Sequence, residues 1–383
     1  MQLHLLKNLI LLLLAVYILF SALLLNHVHV KSNTSVINIP EQPEEKKKHK
    51  YVILAGPHKT ASTSVQFNLY SWSESGLLGD DWAWMHPNLT CLREIPPMYC
   101  PKVQNVYHHK DWFYKAWACL SMCLYDSLPS NKCAHVKSCY KEGLLSQQET
   151  NHHTRFVLGT EWIGTHLVDL IMRGKETSMF IQGFIDTLPS SATKDEITFV
   201  ITYRSPRIDH LRSLWMEVAG HKNETFRAFL LRGDITSPVL DPLSAAEELA
   251  AQHGFNVIVI DMSGIQAKGW DISSVVACQI LGNVPCHLDN MTLLHGSNVS
   301  APSLRNVRKN TMEELNNLTQ DETLKIANAL QKLDCNSVHA IFNHPRVQIL
   351  YPYHLNHTLY YCIQKQPLYS HEQLKIDIQS IVA

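Results

Sequence analysis

The residues with the clearest capacity for chemistry follow a short apolar run, residues 51–55 (YVILA), and read Gly-Pro-His-Lys-Thr-Ala-Ser-Thr-Ser over residues 56–64. Small side chains let backbone N–H groups approach an anion, and the N-terminus of a following helix favours negative charge. Lys59 adds a positive charge, and the hydroxyl groups add hydrogen-bond donors. We call residues 56–64 the anion loop. It differs from the nucleotide triphosphatase motif, which needs a second glycine where this chain has His58.

A second candidate anion site follows another apolar run, residues 197–203 (ITFVITY). This run leads into Arg204, Ser205 and Pro206, and then into a stretch with helical spacing. An arginine at the end of a buried strand can form a two-pronged contact with a phosphate group. Pro206 suits the first turn of a helix.

Four continuously apolar runs predict buried strands of a parallel sheet, at residues 51–55, 156–159, 197–203 and 256–261. Helices are predicted at residues 62–69, 208–218, 245–252 and 275–281. This alternation predicts an α/β fold, a parallel sheet flanked by helices with ligands at the carboxyl ends of its strands.

A long insertion separates the first two predicted strands, at residues 70–155. It holds six of the ten cysteines and five of the eight tryptophans. Two interpretations stay open: the insertion contacts substrate, as long loops often do, or it forms a packing layer held by disulfides.

The N-terminal region carries an uncharged apolar segment at residues 9–25. At about 1.5 Å per residue it spans roughly 26 Å, enough for a bilayer core. No small-residue cleavage pattern follows, which favours an uncleaved signal-anchor. We therefore expect a cytosolic tail at 1–8, a single transmembrane helix at 9–25, a luminal stem at 26–50 and a luminal domain at 51–383.

Cysteines and glycosylation sequons support a luminal location. All ten cysteines follow the apolar segment, and their even number predicts disulfides in an oxidising compartment. A zinc site that starts with Cys119 and Cys123 is the alternative. The chain also contains seven N-x-S/T sequons, so we expect N-glycans on several of them. The sequons begin at Asn33, Asn88, Asn223, Asn290, Asn298, Asn317 and Asn356.

The composition excludes two classes of protein. Lys and Arg number 33 against 34 Asp and Glu, a net charge of −1. Such a chain lacks the cationic excess of a bulk nucleic-acid binder, and we expect no nucleic-acid partner. With 45% hydrophobic residues it is not a disordered protein.

The anion loop resembles the 5′-phosphosulfate loop of sulfotransferases that use 3′-phosphoadenosine 5′-phosphosulfate (PAPS). Its His-Lys-Thr-Ala-Ser form is most similar to that of Golgi enzymes that sulfate galactose. The resemblance implies a P-loop-like sheet, PAPS as co-substrate and no metal. It implies that Lys59 acts in catalysis by stabilising charge on the bridging oxygen. It also implies that the phosphosulfate is bound by His58, Lys59, Thr60, Ala61, Ser62, Thr63 and Ser64.

The segment after residues 197–203 resembles the part of these enzymes that holds the 3′-phosphate of PAPS. There an arginine at the strand end acts with a helix serine, usually eight residues later. In this chain residue 212 is arginine, and Ser213 lies nine residues after Arg204. Either the turn is one residue longer, or Arg212 replaces the hydroxyl contact.

Sulfuryl transfer also needs a group that takes the proton of the acceptor hydroxyl. Glu161 follows the run at 156–159 and is our candidate for this base, and His58 and His166 are alternatives. The expected function is transfer of a sulfuryl group from PAPS to a glycan hydroxyl by a single-pass type II Golgi membrane protein. Four alternatives stay open: a tyrosyl-protein or other acceptor, a luminal kinase, a glycosyltransferase, and a non-catalytic anion-binding ectodomain.

Overall fold

A six-stranded parallel sheet is the centre of the computed structural model of this chain. Its strands are β1 (Tyr51–Leu54), β2 (Trp82–Trp84), β3 (Arg155–Gly159), β4 (Ile197–Tyr203), β5 (Asn256–Asp261) and β6 (Val347–Leu350). They lie in the order β2-β3-β1-β4-β5-β6, and every neighbouring pair is parallel. The predicted α/β class and all four predicted strands are confirmed.

The structure describes residues 50–56, 62–94, 119–120, 123–124, 130–151, 153–159, 162–204, 210–211, 213–215, 225–232, 241–282 and 319–364. The predicted anchor at 9–25 and nearly all of the predicted stem at 26–50 lie outside these ranges. Within them, no helix combines the length and apolar character needed to cross a bilayer.

Helices flank the sheet, and their bounds extend or shift those predicted from sequence. They are α1 (Ser62–Glu74), α2 (Leu89–Arg93), α3 (Ser130–Asn151), α4 (Trp162–Met172), α5 (Ser178–Ile185), α6 (Phe226–Arg232), α7 (Pro242–Glu247), α8 (Met262–Ala267), α9 (Ile272–Val275), α10 (Gln320–Asn343) and α11 (Tyr353–Gln364). Two of them, α7 and α9, continue into π-helical turns at Glu248–Gln252 and Val276–Ile280.

The two faces of the sheet are both covered, because alternate side chains of a strand point to opposite sides. From β1, Tyr51 and Ile53 join one core with residues of α4, α5, α7 and α10. Val52 and Leu54 join a second core with residues of α1, α8 and α9. This double burial explains why the four predicted strands read as unbroken apolar runs.

The sequence did not predict β2 and β6, which form the two edges of the sheet. At three residues, β2 is too short to give a periodic signal. Every residue of β6 is partly or fully exposed, and Gln348 interrupts its apolar pattern. An edge strand pairs on one side only, so it needs no continuous apolar run.

The insertion at 70–155 supplies structure to the core. It contributes β2, whose Trp82 indole N–H donates to the backbone oxygen of Leu281 at 2.9 Å. From α3, Tyr140 and Leu144 are fully buried in the core. The described part of the insertion therefore forms a packing layer, the second of the two interpretations.

Disulfides hold this layer and the C-terminal helices, as predicted. They join Cys91 to Cys139, Cys123 to Cys133 and Cys335 to Cys362. Cys119 and Cys278 are disulfide-bonded as well, and the described residues include no free cysteine.

The alternative of a zinc site loses its ligands in this arrangement. Cys119 and Cys123 are both in disulfides. Cys91, His135 and Cys139 lie close enough together to suggest a metal site, but the bond between the two sulfurs leaves no thiolate to bind a cation.

A buried polar cluster lies near the start of β5. The Thr177 hydroxyl donates to Glu248 at 2.5 Å and lies 2.9 Å from Nε2 of His253. Burial lowers the pKa of His253, and the charge of Lys194 acts in the same direction, while Glu248 opposes them. Folding therefore favours the neutral imidazole.

We expect this cluster to make stability depend on pH. The folded pKa of His253 lies below its unfolded value of about 6.5, so the unfolded chain binds more protons between the two values. The free energy of unfolding should fall as pH decreases through that interval. Urea unfolding at a series of pH values would measure this.

The matched variants are His253→Gln and His339→Gln, the latter at an exposed position on α10. His253→Gln should flatten part of the pH dependence, and His339→Gln should leave it unchanged. Identical pH profiles for the wild type and His253→Gln would contradict the assignment.

Candidate anion-binding site

The two anion-binding segments predicted from sequence follow neighbouring strands. In the sheet, β1 pairs with β4, with Leu54 opposite Val200, and the Ala55 N–H donates to the Val200 oxygen at 3.0 Å. In the strand order, β2, the strand that follows β1 in the chain, lies to one side of the β1–β4 pair, and β5, the strand that follows β4, lies to the other side. Such a reversal opens a crevice at the carboxyl ends of parallel strands, where ligands of α/β proteins bind.

The anion loop connects β1 to α1 in the sequence. The structure describes Gly56, the first residue of the loop, and the helical backbone from Ser62 onward, but not the side chains of Ser62, Thr63 and Ser64. His58, Lys59, Thr60 and Ala61 lie outside the described residues. As predicted, the helix begins within the run of hydroxyl residues, so its N-terminal N–H groups belong to the loop.

Tight backbone packing fixes the start of the loop. A Cβ on Gly159, the last residue of β3, would lie 2.6 Å from the Leu54 Cβ. A Cβ on Gly164, in the first turn of α4, would overlap the carbonyl oxygen of Ala55. Glycine at both positions lets β3 and α4 approach the end of β1 closely.

Arg204 meets Ser213 at the end of β4. Nη1 of Arg204 donates to the Ser213 hydroxyl at 3.1 Å, across nine residues of chain. Both side chains are partly buried. The arginine and the serine therefore meet although they are nine residues apart, as expected if the turn is one residue longer. Arg212 lies outside the described residues.

Buried neighbours hold Ser213 in this position. Residues 210–211 and 213–215 are helical, and His210, Leu211 and Leu214 are almost fully buried. The Trp215 ring packs against Phe226 of α6 with centroids 5.5 Å apart. Their spacing leaves Ser213 on another face of the helix, toward Arg204.

A buried carboxylate at the carboxyl end of β5 was not predicted from the sequence. Asp261, at the end of β5, pairs in register with Tyr203 of β4 and is fully buried. Its oxygens accept from the N–H groups of Ser263, His354 and Leu355 at 2.7–3.1 Å. It thus caps α8 and α11 together. The Asp-x-Ser pattern after the strand signals the first cap, but α11 lies over ninety residues away.

A buried amide in α1 also lies near the anion loop. Gln66, 3% exposed, has an Nε2 group with no hydrogen-bond partner among the residues that the structure describes. An unpaired buried donor costs about 1–3 kcal/mol. Helical side chains lean toward the N-terminus of their helix, so this amide leans toward the loop.

The candidate bases have different surroundings. Glu161 lies outside the described residues, between Gly159 and α4, whose first turn abuts Ala55. His166 is partly buried and packs edge-on against Phe180 of α5, with ring centroids 6.3 Å apart. His166 therefore has a packing role against α5.

Comparisons with protein-family models, with curated proteins and with solved structures give no match to this chain. Its function is therefore argued from the geometry of the strand ends and from the residues that follow them.

We expect Gly164→Ala to disturb the anion loop, because the new Cβ would push α4 away from Ala55. Overpacking of this kind costs about 1–3 kcal/mol, against a gain of about 1 kcal/mol in helix propensity. We therefore expect a lower urea concentration at the unfolding midpoint and a lower affinity for anions.

Gly183→Ala in α5 is the matched control. There the new Cβ would meet the ends of the Leu124 and Lys137 side chains, which can move aside. If both variants bound anions like the wild type, the contact between Gly164 and Ala55 would have no role in shaping the loop.

Proposed function

We propose that this protein is a PAPS-dependent sulfotransferase that acts on a glycan hydroxyl. The observation that carries the proposal is the pairing of β1 with β4 in parallel. The two anion-binding segments predicted from sequence each begin at the carboxyl end of one of these neighbouring strands. The similarity of both segments to those of sulfotransferases, in the same order along the chain, supports PAPS as the ligand.

The offset between the two segments favours a ligand with two separated anionic groups. Leu54 lies opposite Val200, so Gly56 lies at the level of Thr202, and Arg204 follows two residues later. Two residues of extended chain span about 7 Å. A nucleotide with phosphate groups at its 3′ and 5′ positions fits two such sites better than a single inorganic anion.

The roles of the donor-binding residues follow from this assignment. The anion loop and the N-terminus of α1 bind the phosphosulfate, and Lys59 neutralises charge on the oxygen that leaves. Arg204 and Ser213 bind the 3′-phosphate, with the arginine already oriented by its bond to the serine. Arg212 is a further candidate contact for this phosphate.

The reaction itself is an in-line transfer. The acceptor hydroxyl oxygen attacks sulfur, the bond from sulfur to the bridging oxygen breaks, and adenosine 3′,5′-bisphosphate leaves. The hydroxyl proton passes to a base, and Glu161 is our candidate because it follows β3, the other neighbour of β1. Holding donor and acceptor in line supplies much of the rate enhancement.

The proposed location is the Golgi membrane, with the apolar segment at 9–25 as the anchor. The eight cysteines that the structure describes are all disulfide-bonded, which supports an oxidising compartment. The sequons at seven positions of the chain agree with a luminal domain.

We expect the protein to bind adenosine 3′,5′-bisphosphate in the presence of a metal chelator. Lys59→Ala and Arg204→Ala should each weaken binding about 10-fold or more, since a hydrogen bond to a charged group contributes about 1.5–3 kcal/mol. Ser213→Ala should have a smaller effect, about 3- to 10-fold. Isothermal titration calorimetry would measure these affinities.

Arg346→Ala is the matched control. Arg346 lies just before β6, at the amino ends of the strands and therefore far from the proposed site, and it pairs there with the exposed Asp195. Its loss should leave bisphosphate affinity unchanged. Equal affinities for the wild type, Lys59→Ala and Arg204→Ala would refute the assigned site.

Radiolabelled PAPS, offered with a panel of glycans and tyrosine-containing peptides, tests the acceptor. Label on a glycan supports the proposal, and label on a peptide alone would replace glycan by tyrosine as the acceptor. Binding of the bisphosphate with no labelled acceptor in either panel would favour an anion-binding ectodomain.

A further inference from the structure

The last described helix, α11, presents an exposed apolar stripe. Tyr353, Tyr360 and Ile363 are 60%, 56% and 57% exposed. Their spacing of seven and three residues places them on one side of the helix. Large exposed apolar side chains that cluster in this way commonly mark a covered surface.

Asn356 lies in the middle of this stripe. It is exposed, three residues after Tyr353 and four residues before Tyr360, so it neighbours both on the helix surface. It also begins the sequon Asn-His-Thr at residues 356–358. The attachment point for a glycan therefore coincides with the centre of the apolar patch.

We propose that Asn356 carries an N-linked glycan whose first sugars cover the Tyr353–Tyr360 stripe. Sugar rings have apolar C–H faces that pack on the rings of tyrosine, and burial of this surface is favourable. The inference rests on the luminal location in the proposed function and is independent of the sulfuryl-transfer chemistry.

The bond-forming step uses a lipid-linked oligosaccharide as the donor. The side-chain nitrogen of Asn356 bonds to the anomeric carbon of the first sugar and loses a proton. The bond from that carbon to the lipid diphosphate breaks, and the diphosphate leaves with the lipid.

Asn88 gives a contrasting case among the described sequons. Its side-chain oxygen accepts from the Cys91 N–H at 3.2 Å, and its nitrogen donates to Glu142 at 3.3 Å. This asparagine is partly buried and caps α2. The fold thus engages Asn88 and leaves Asn356 at the surface.

The sequon of Asn356 is usable only before α11 packs. Thr358 is fully buried, and its hydroxyl donates to the His354 oxygen at 3.1 Å. The bond between Cys335 and Cys362 then holds α11 on α10. A transferase that reads the threonine hydroxyl must therefore act before this disulfide closes.

The experiment uses the full chain secreted into the lumen of cultured cells. Glycopeptides are mapped after enzymatic release of glycans in heavy-oxygen water, which marks each formerly glycosylated asparagine. We expect a glycan at Asn356 in the wild type and none in N356Q. The double variant C335S/C362S should raise the occupied fraction of Asn356, because the helix then packs later.

Coverage of the stripe is tested by thermal unfolding of the secreted protein. N356Q should lower the unfolding midpoint by about 2 °C or more. Trimming to the first sugar with an endoglycosidase should leave most of the stabilisation. In the Y353S/Y360S background, N356Q should have little further effect.

The outcomes separate this inference from the proposed function. Glycans on other sequons with none on Asn356 would overturn the modification site. An equal effect of N356Q with and without the two tyrosines would overturn the covering of the stripe. No glycan on any sequon would overturn the luminal location, while failure of sulfuryl transfer alone would leave the glycan intact.

Discussion

The pairing of β1 between β3 and β4 is the constraint on which the rest of the structure depends. β1 is buried on both faces and hydrogen-bonded on both sides. Because all three strands are parallel, their carboxyl ends meet at one edge, and the segments that follow them must share it. The anion loop, the Glu161 segment and the Arg204 segment are separated by about forty to a hundred residues in sequence, yet each follows one of these three paired strands.

Packing next to this edge gives its parts fixed positions. Glycine at 159 and 164 lets two elements approach the end of β1 without a side chain between them. The buried side chains of His210, Leu211 and Leu214 set the position of Ser213 relative to Arg204. Asp261 accepts hydrogen bonds from the first turns of α8 and α11, which holds both helices at the carboxyl end of β5. For the proposed donor site, preorganisation of this kind would reduce the cost of ordering the side chains when the ligand binds.

Much of the fold could be predicted because the central strands have strong local signals. Continuous apolar runs such as ITFVITY predict strands that are buried on both faces of a parallel sheet, and apolar residues spaced three or four apart predict helices. The edge strands β2 and β6 have no such signal, since one is very short and the other is largely exposed. The role of the insertion could not be predicted from its sequence. A segment rich in cysteine and tryptophan can pack against the core or contact a substrate, and its composition does not distinguish the two.

The sequence by itself determined the types of residue that follow each strand, and with them the prediction of an anion site with Lys59 and Arg204. It also determined the disulfide chemistry and the glycosylation sequons, since these depend on local composition. Only the tertiary structure decided that β1 and β4 are neighbours, that Ser213 meets Arg204, that Asp261 caps a helix over ninety residues away and that Asn356 lies on an exposed aromatic stripe. The physical reason is that these contacts join residues far apart in the chain, and strand order and helix packing select such contacts through the burial of the whole core.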